Sequence, residues 1–536
     1  MFKIFFSTLA LTCILFCNTY AGFREIASSE KIEEARAGYL KIINDRDGHT
    51  YLFTMRPGQK MMFRKFDPQH KPVVSKELAL ADKDIMKADA LELYLIEDKI
   101  VIFFSDLDGR IPVLYRVLID KQTLSVVKEE KVAEMPKVKI KVFFGGPPKD
   151  FDLSLPYFEV TKDDDSDNYA VCAFNTRAEQ PEEAIEISHY NNKHELISKG
   201  YCNIADQPGV RIRNISLNVE QDKKVTVLGI ADRNMVFFGS RSAGQTTFDF
   251  KKLDFEGTAG QTDALLRYNP ATGTYIIVSV KKMLRGGDIR YLSYISRFNP
   301  ATGSLVTEPA NLVKIDGIAR TQYRKKERFD GWPQDLFIHE DGSYTIVYEE
   351  ADMKEYNYAT FQDARSVSRM RTAYKYFLKD IGVTTYDKDG AELHAYYVPK
   401  SHQIEQLIAP FRYKRRRNAV VHLSTGLQYK QFYYFQSPKN RYVLFNDYED
   451  NQEKIENHSG IKTVMALNES VAYAFDLNQE SSILKRQELW PDQNRKKEGR
   501  LALFAASDYN PQTNILTTLK LDYRSKEMQL VWMQPE

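Results

Sequence analysis

Short β-forming runs punctuated by Asp- and Asn-led turns constrain this chain more than any other feature. Asp45-Arg46-Asp47-Gly48, Asp106-Leu107-Asp108-Gly109, Glu340-Asp341-Gly342 and Asp387-Lys388-Asp389-Gly390 each separate two apolar runs. Glycine supplies the positive φ that a tight hairpin needs, and the Asp carboxylate accepts hydrogen bonds from nearby backbone N–H groups. One turn recurs almost verbatim. Arg267-Tyr268-Asn269-Pro270-Ala271-Thr272-Gly273 returns as Arg297-Phe298-Asn299-Pro300-Ala301-Thr302-Gly303. Fainter echoes stand at Lys65-Phe66-Asp67-Pro68 and Asp508-Tyr509-Asn510-Pro511. Repetition of a hairpin points to copies of one supersecondary unit.

The runs between turns are five to ten residues long and rich in Val, Ile, Tyr and Phe. The 32 Tyr and 31 Phe suit pleated, half-buried surfaces. Helical periodicity is expected only over Glu25–Gly38 and Thr360–Met370. Grouped by fours, the strands form blocks over 39–80, 91–132, 151–201, 210–255, 264–313, 336–398 and 419–489. A shorter block, 501–533, has about three strands, and a strand from the N-terminus would complete it. These features predict an all-β chain: a β-propeller of seven or eight four-stranded antiparallel blades spanning 39–536, after an N-terminal segment 22–38. The alternative is two β-sandwich domains divided near 256–262, where Gly257 and Gly260 fall.

The N-terminus reads as an export signal. Lys3 precedes an apolar run of 14 residues, Ile4–Cys17, too short to cross a bilayer as a helix. Thr19-Tyr20-Ala21 then predicts a signal peptide 1–21 cut after Ala21; the alternative is an uncleaved anchor. No later stretch has 18 consecutive apolar residues, so no transmembrane segment is expected in the mature chain. Loss of Lys3 moves the formal charge from +2 to +1, which supplies no general field for nucleic acid. Cys172 and Cys202 remain after cleavage, as one disulfide or as two separate buried thiols.

Three segments resemble uncharacterised secreted, β-propeller-like proteins of Bacteroidota. They are Asp380 to Gly390 (DIGVTTYDKDG), Val398 to Gln403 (VPKSHQ) and Tyr442 to Asp447 (YVLFND). The resemblance implies an exported bacterial β protein. Its motifs are not catalytic, so it implies no activity.

Few residue constellations carry chemistry. Asp163, Asp165 and Asp167, within the run Asp163 to Asn168, offer hard oxygen ligands for calcium, yet the spacing fails as an EF-hand loop. His189 and His194 flank a turn and would need a third ligand to hold zinc. There is no P-loop, no dinucleotide-binding glycine pattern and no usable nucleophile elbow. Basic stretches at 324–328, 414–417 and 495–497 read as solvated loops or contacts for acidic glycans. Tyr-rich tracts at 374–377 and 429–435 read as inner strands or a recognition surface. The segment 329–335 reads as a ligand-facing loop, with Trp332 between Asp330 and Asp335 as ligand-binding candidates. The function expected is a non-enzymatic binding or scaffolding protein of a bacterial envelope, periplasmic, secreted or at the outer surface. It would recognise an envelope protein or glycan through loops on one propeller face. The alternative is a polysaccharide hydrolase or lyase, with Asp330, Asp335 and Glu349 as candidate carboxylates.

Overall fold

The computed structural model describes residues 22–536 except 35–36, 57–59, 109–110, 138–155, 164–165, 177, 203, 205–209, 221–223, 233–234, 256–259, 261, 286–287, 361–368, 407, 414–416, 424–425, 479–482 and 492–499. The export signal expected over 1–21 lies outside the described residues.

Alternating apolar runs and tight turns fold into four-stranded antiparallel sheets, each ordered from an innermost first strand to an outermost fourth. Blade 1 runs from Tyr39–Asn44 to Pro72–Leu78, blade 2 from Asp89–Ile96 to Val126–Glu134, and blade 3 from Tyr157–Lys162 to Leu196–Tyr201. Blade 4 spans Ile212–Val219 to Asp249–Leu253, blade 5 Asp263–Asn269 to Leu305–Pro309, and blade 6 Trp332–Ile338 to Glu392–Val398. Blade 7 holds Tyr433–Gln436, Arg441–Tyr448, Ser470–Asp476 and Arg486–Glu488. Blade 8 holds Asp508–Asn510, Ile515–Asp522 and Glu527–Pro535, and its outermost strand is Phe23–Ser28 from the other end of the chain. A short strand, Arg500–Ala502, joins blades 7 and 8 into one continuous sheet.

The apolar clusters show that the blades form a closed ring. Among the described residues each cluster lies between one blade and the next. Blades 1 and 2 share Phe53, Phe63, Ile102 and Val117, and blades 4 and 5 share Leu228, Phe238, Leu266 and Tyr275. Blades 7 and 8 share Leu444, Leu516 and Val531. The ring closes where Leu40 and Leu52 of blade 1 meet Leu519 and Trp532 of blade 8. The fold is an eight-bladed β-propeller. The cluster between blades 4 and 5 bridges the expected sandwich boundary near 256–262, so the two-domain alternative does not hold.

The repeated Asn-Pro turn has a specific task. Asn269 and Asn510 each end the first strand of a blade, and each reaches the first turn of the next blade. Asn269 Nδ2 donates to the Gly342 carbonyl at 2.8 Å, and Asn510 Nδ2 donates to the Asp45 carbonyl at 2.7 Å. Gly273 and Gly303 take φ of 65° and 74°, the left-handed conformation these turns require.

Two expectations are corrected. The described residues of 25–38 are not helical: Phe23–Ser28 and Ile32–Glu33 pair with Glu527–Pro535. A ladder that satisfies every backbone group along a sheet edge outweighs the weak helical propensity of a Glu- and Ala-rich stretch. Thr360 and Arg369–Met370 likewise belong to the long hairpin of blade 6, while 361–368 lie outside the described residues.

Antiparallel strands give the ring two unlike faces. First-to-second and third-to-fourth turns all fall on one face, which consists mostly of tight Asp and Asn turns. Second-to-third turns and interblade connectors fall on the other. That connector face carries a long blade 5 hairpin, Thr274–Arg285 with Asp288–Phe298, and a longer blade 6 hairpin, Tyr344–Thr360 with Arg369–Tyr386. It also carries helix α1, Val313–Tyr323, which buries Ile315 and Ala319 against blades 5 and 6.

Candidate functional site

The innermost strands of a propeller line its central channel, and here the channel is crossed by chain. After blade 6, the described residues of 405–431 enter from blade 6 and reach the opposite side before the chain returns to blade 7. Phe411 N–H donates to the Pro333 carbonyl of blade 6 at 2.8 Å. Arg417 Nε donates to Asp335 Oδ2 at 2.8 Å, with its guanidinium 4.0 Å over the Phe337 ring. Asn418 and Val420 then bond to Leu93 and Leu91 of blade 2, which faces blade 6 across the ring. Val421–His422 adds a strand inside blade 1 by pairing with Leu40 and Tyr39. The buried Lys41 Nζ donates to the Arg417 carbonyl at 2.5 Å.

Beside the crossing segment lies a cavity of about 560 Å³. Blades 2 and 3 contribute Glu92, Tyr157, Glu159 and Lys162, and blade 5 contributes Arg267. The crossing segment contributes Gln406, Arg412, Arg417, His422, Gln428 and Gln431. Lys162 is ion-paired with Asp167 at 2.7 Å, and Arg417 with Asp335. Gln428 and Gln431 are buried, and neither Oε1 receives a hydrogen bond.

Asp508, on the first strand of blade 8, faces Lys41 and accepts the Asn44 N–H at 2.7 Å. Burial pushes its carboxyl up to about 6, against the opposing pull of Lys41 and Asn44. A carboxyl whose folded pKa exceeds its unfolded value favours the neutral form. Its stabilising contribution is full below the unfolded value and is lost as pH rises through about 6. Asp508→Asn will therefore match the natural protein near pH 4 and exceed it in stability at pH 8, by up to about 3 kcal/mol. Urea unfolding at both pH values checks this; equal midpoints at pH 8 would refute it.

The residues singled out by sequence are dispersed. Trp332 is not on a loop. It opens the first strand of blade 6, is 2 % exposed, and packs edge-on to Tyr291 at 4.6 Å between blades 5 and 6. The turn signal of Gly331 and Pro333 is overridden because Pro333 stands beside a bulge on the end strand of its sheet, where a missing N–H is tolerated. Asp335 faces the channel, bound to Arg417. Asp330 lies near the connector face, 3.7 Å from Arg290, and burial raises its carboxyl pKa. Glu349 is fully buried, 2.6 Å from Lys400, and accepts the Tyr413 hydroxyl at 3.1 Å. The three carboxylates proposed for a hydrolase are thus each matched to a different cation and do not converge on one cleft.

Cys172 and Cys202 are both buried between blades 3 and 4 as free thiols. Cys172 pairs with Ile187, and Cys202 N–H bonds to Ile185, so the strand Ile185–Tyr190 stands between them. Two strand spacings, about 10 Å, exceed disulfide reach. Asp163 binds Ser166 N–H and Oγ, and Asp167 binds Lys162, whereas Asp165 lies outside the described residues. His189 is buried mid-strand, while His194 sits in the turn against Tyr169 and Arg116, where burial pushes its pKa down to about 4. Lys325 of the first basic stretch is bound to Glu350 and Asp380, and 414–416 and 495–497 lie outside the described residues. Tyr429, Phe432, Tyr434 and Phe435 are buried core. The channel residues escaped sequence reasoning because no local motif marks them; only their shared position on first strands and on one connector would have.

The fold and site define an eight-bladed propeller whose channel is crossed by its own chain. No family model matches the chain, and no curated protein matches it. Among solved structures it is similar to YCF48 bound to a D1 peptide, at 12 % identity over 60 % of this chain and 78 % of that one, TM-score 0.30. It is similar to the WD40 domain of SCAP from fission yeast, at 8 % identity over 95 % and 94 %, TM-score 0.37. It is also similar to a protein of unknown function from Bacteroides caccae, at 10 % identity over 68 % and 94 %, TM-score 0.25.

Proposed function

We propose that this chain is an exported binding or scaffolding protein of the bacterial cell envelope, engaging a protein or glycan through its connector face. The observation that carries the reading is the inequality of the two faces. One is trimmed to tight turns, whereas the other projects two adjacent hairpin arms. Beyond the Asp352–Phe377 pair the blade 6 arm adds only Tyr376 to the apolar clusters among the described residues, so retention of the rest points to contact with something else. The arms expose Met283, Leu292 and Tyr356, at 39 %, 44 % and 42 %. Beyond Glu349, among the described residues, no strand pairs with the first-strand side of Tyr344–Thr360, an edge suited to strand addition by a partner. The resemblance of 380–390, 398–403 and 442–447 to secreted Bacteroidota proteins supports export.

The test compares the natural protein with a variant whose residues 353–376 are replaced by Asn-Gly, closing the arm at the Asp352–Phe377 pair. Both are immobilised against envelope extracts and a glycan array. The natural protein should retain a defined partner that the trimmed variant loses by about tenfold or more. Equal retention by both, or turnover of an arrayed polysaccharide, would overturn the reading.

A further inference from the structure

The blade 6 arm carries its charge unequally. Residues 353–376 hold five Lys and Arg against Glu355 and Asp363, a net +3 in a chain whose formal charge is +2. Leu378, at the base of the arm, packs toward blade 7. By the two-residue period, Phe377, Lys375 and Ala373 stand on the opposite side, and the register sets Asp352, Lys354 and Tyr356 across from them. Lys354 and Lys375 thus face each other directly, and like charges so placed weaken a ladder. Both lysines are exposed, and among the described residues neither forms an ion pair. Asp352, on the same side, is bound to Lys379 at 2.7 Å, and Glu355 stands on the other side. Lys354 Nζ lies 5.5 Å from the centre of the Phe377 ring, and Lys375 Nζ lies 5.2 Å from that of Tyr356.

We propose, resting on the reading that the connector face engages a partner, that this side of the blade 6 arm binds an acidic polysaccharide whose sugars bear carboxylates. A carboxylate set between Lys354 and Lys375 turns their repulsion into two charge-assisted hydrogen bonds. The rings of Tyr356 and Phe377 offer flat apolar surface beside the charges, which suits the face of a pyranose. Ammonium and ring alternate on the arm as carboxylate and sugar ring alternate along such a chain. Among the described residues no large aliphatic side chain stands with them on that side, as insertion into a lipid surface would need.

The experiment uses the full chain in titration calorimetry, with polygalacturonate and alginate as acidic glycans and dextran and pullulan as neutral ones. At least one acidic glycan should bind with a Kd on the order of micromolar in about 50 mM salt, and about tenfold or more weakly in about 0.5 M salt. The neutral glycans should bind at least about tenfold more weakly than the acidic one. Lys354→Gln and Lys375→Gln should each weaken binding by about three- to tenfold, with Tm unchanged or raised because each removes a repulsion. Tyr356→Leu should weaken binding, whereas Tyr356→Phe should keep it, because the ring face is what the sugar meets. If a glutamine variant misfolds, hydrogen exchange on the natural protein decides: the acidic glycan should slow exchange at 353–356 and 373–376. Equal binding of neutral glycans, unchanged affinity in the double glutamine variant, or protection elsewhere would overturn the proposal. So would a preference for single-stranded DNA, poly-glutamate or phosphatidylglycerol vesicles over every acidic glycan. An envelope partner retained equally by the natural and double glutamine proteins, yet lost on trimming the arm, overturns this assignment alone and leaves the connector-face reading standing.

Discussion

Lys400→Met will destabilise this protein by about 3–5 kcal/mol, one of the two largest losses expected from its structure. Lys400 and Glu349 are both 0 % exposed and lie 2.6 Å apart. Burial lowers the Lys400 pKa, opposed first by Glu349. The pair therefore adds little net stability over apolar residues, yet removal of one partner leaves the other's charge buried without its counter-ion. Neighbouring groups offer no relief. The Tyr413 hydroxyl already serves Glu349, and Lys325, Glu350, Asp380 and Tyr397 form their own hydrogen-bonded set alongside. In a chain of this length the loss corresponds to a Tm decrease of about 3–5 °C. Glu349→Gln in the Lys400→Met background should recover more than half of it, because glutamine still accepts from Tyr413 while shedding the charge. A Lys400→Met loss below about 1 kcal/mol would refute the account.

Deletion of residues 22–34 will cost about 5 kcal/mol or more and leave a chain that self-associates. The segment runs along the whole outer edge of blade 8. Phe23–Ser28 and Ile32–Glu33 form its ladder, and Ser29 and Glu34 add backbone bonds to Leu530 and Lys526, each of 2.8 Å. A ladder of this length, at about 0.5–1.5 kcal/mol per bond, accounts for the estimate. Phe23 also contributes to the core between blades 7 and 8, its ring 4.8 Å from Tyr442. Without the segment, Glu527–Pro535 becomes a bare edge strand. Cleavage after Ala21, expected from sequence, leaves the segment whole. Differential scanning calorimetry and analytical ultracentrifugation test the deletion, and a synthetic peptide of residues 22–34 should restore Tm when added in trans. A truncated chain that stays monomeric and melts within about 2 °C of the full one would refute this.

The ionic framework of blades 6 and 7 runs through three segments marked in the sequence, 380–390, 398–403 and 442–447. Its three segments contain Asp380, Lys400 and Asp447, which are respectively bound to Lys325, paired with Glu349 and paired with Arg486. A changed residue at any of the three leaves an unmatched charge.

Local chemistry alone determined most of the strands, their turns and a grouping into seven or eight blades. A two-residue period and a positive-φ glycine act over a few neighbouring residues, and the Asn-Pro turns announced their repetition openly. Tertiary structure decided everything that depends on distant segments. Phe23–Ser28 and Ile32–Glu33 became strand because an unpaired edge waited some 500 positions away. Trp332 went into the core because blade 5 supplied Tyr291. Asp335, Arg417, Gln428 and Gln431 became channel residues only when the ring closed around a connector that crosses it. Periodicity is a property of neighbours in sequence, whereas a channel is a property of strands brought side by side by the burial of eight separate interfaces.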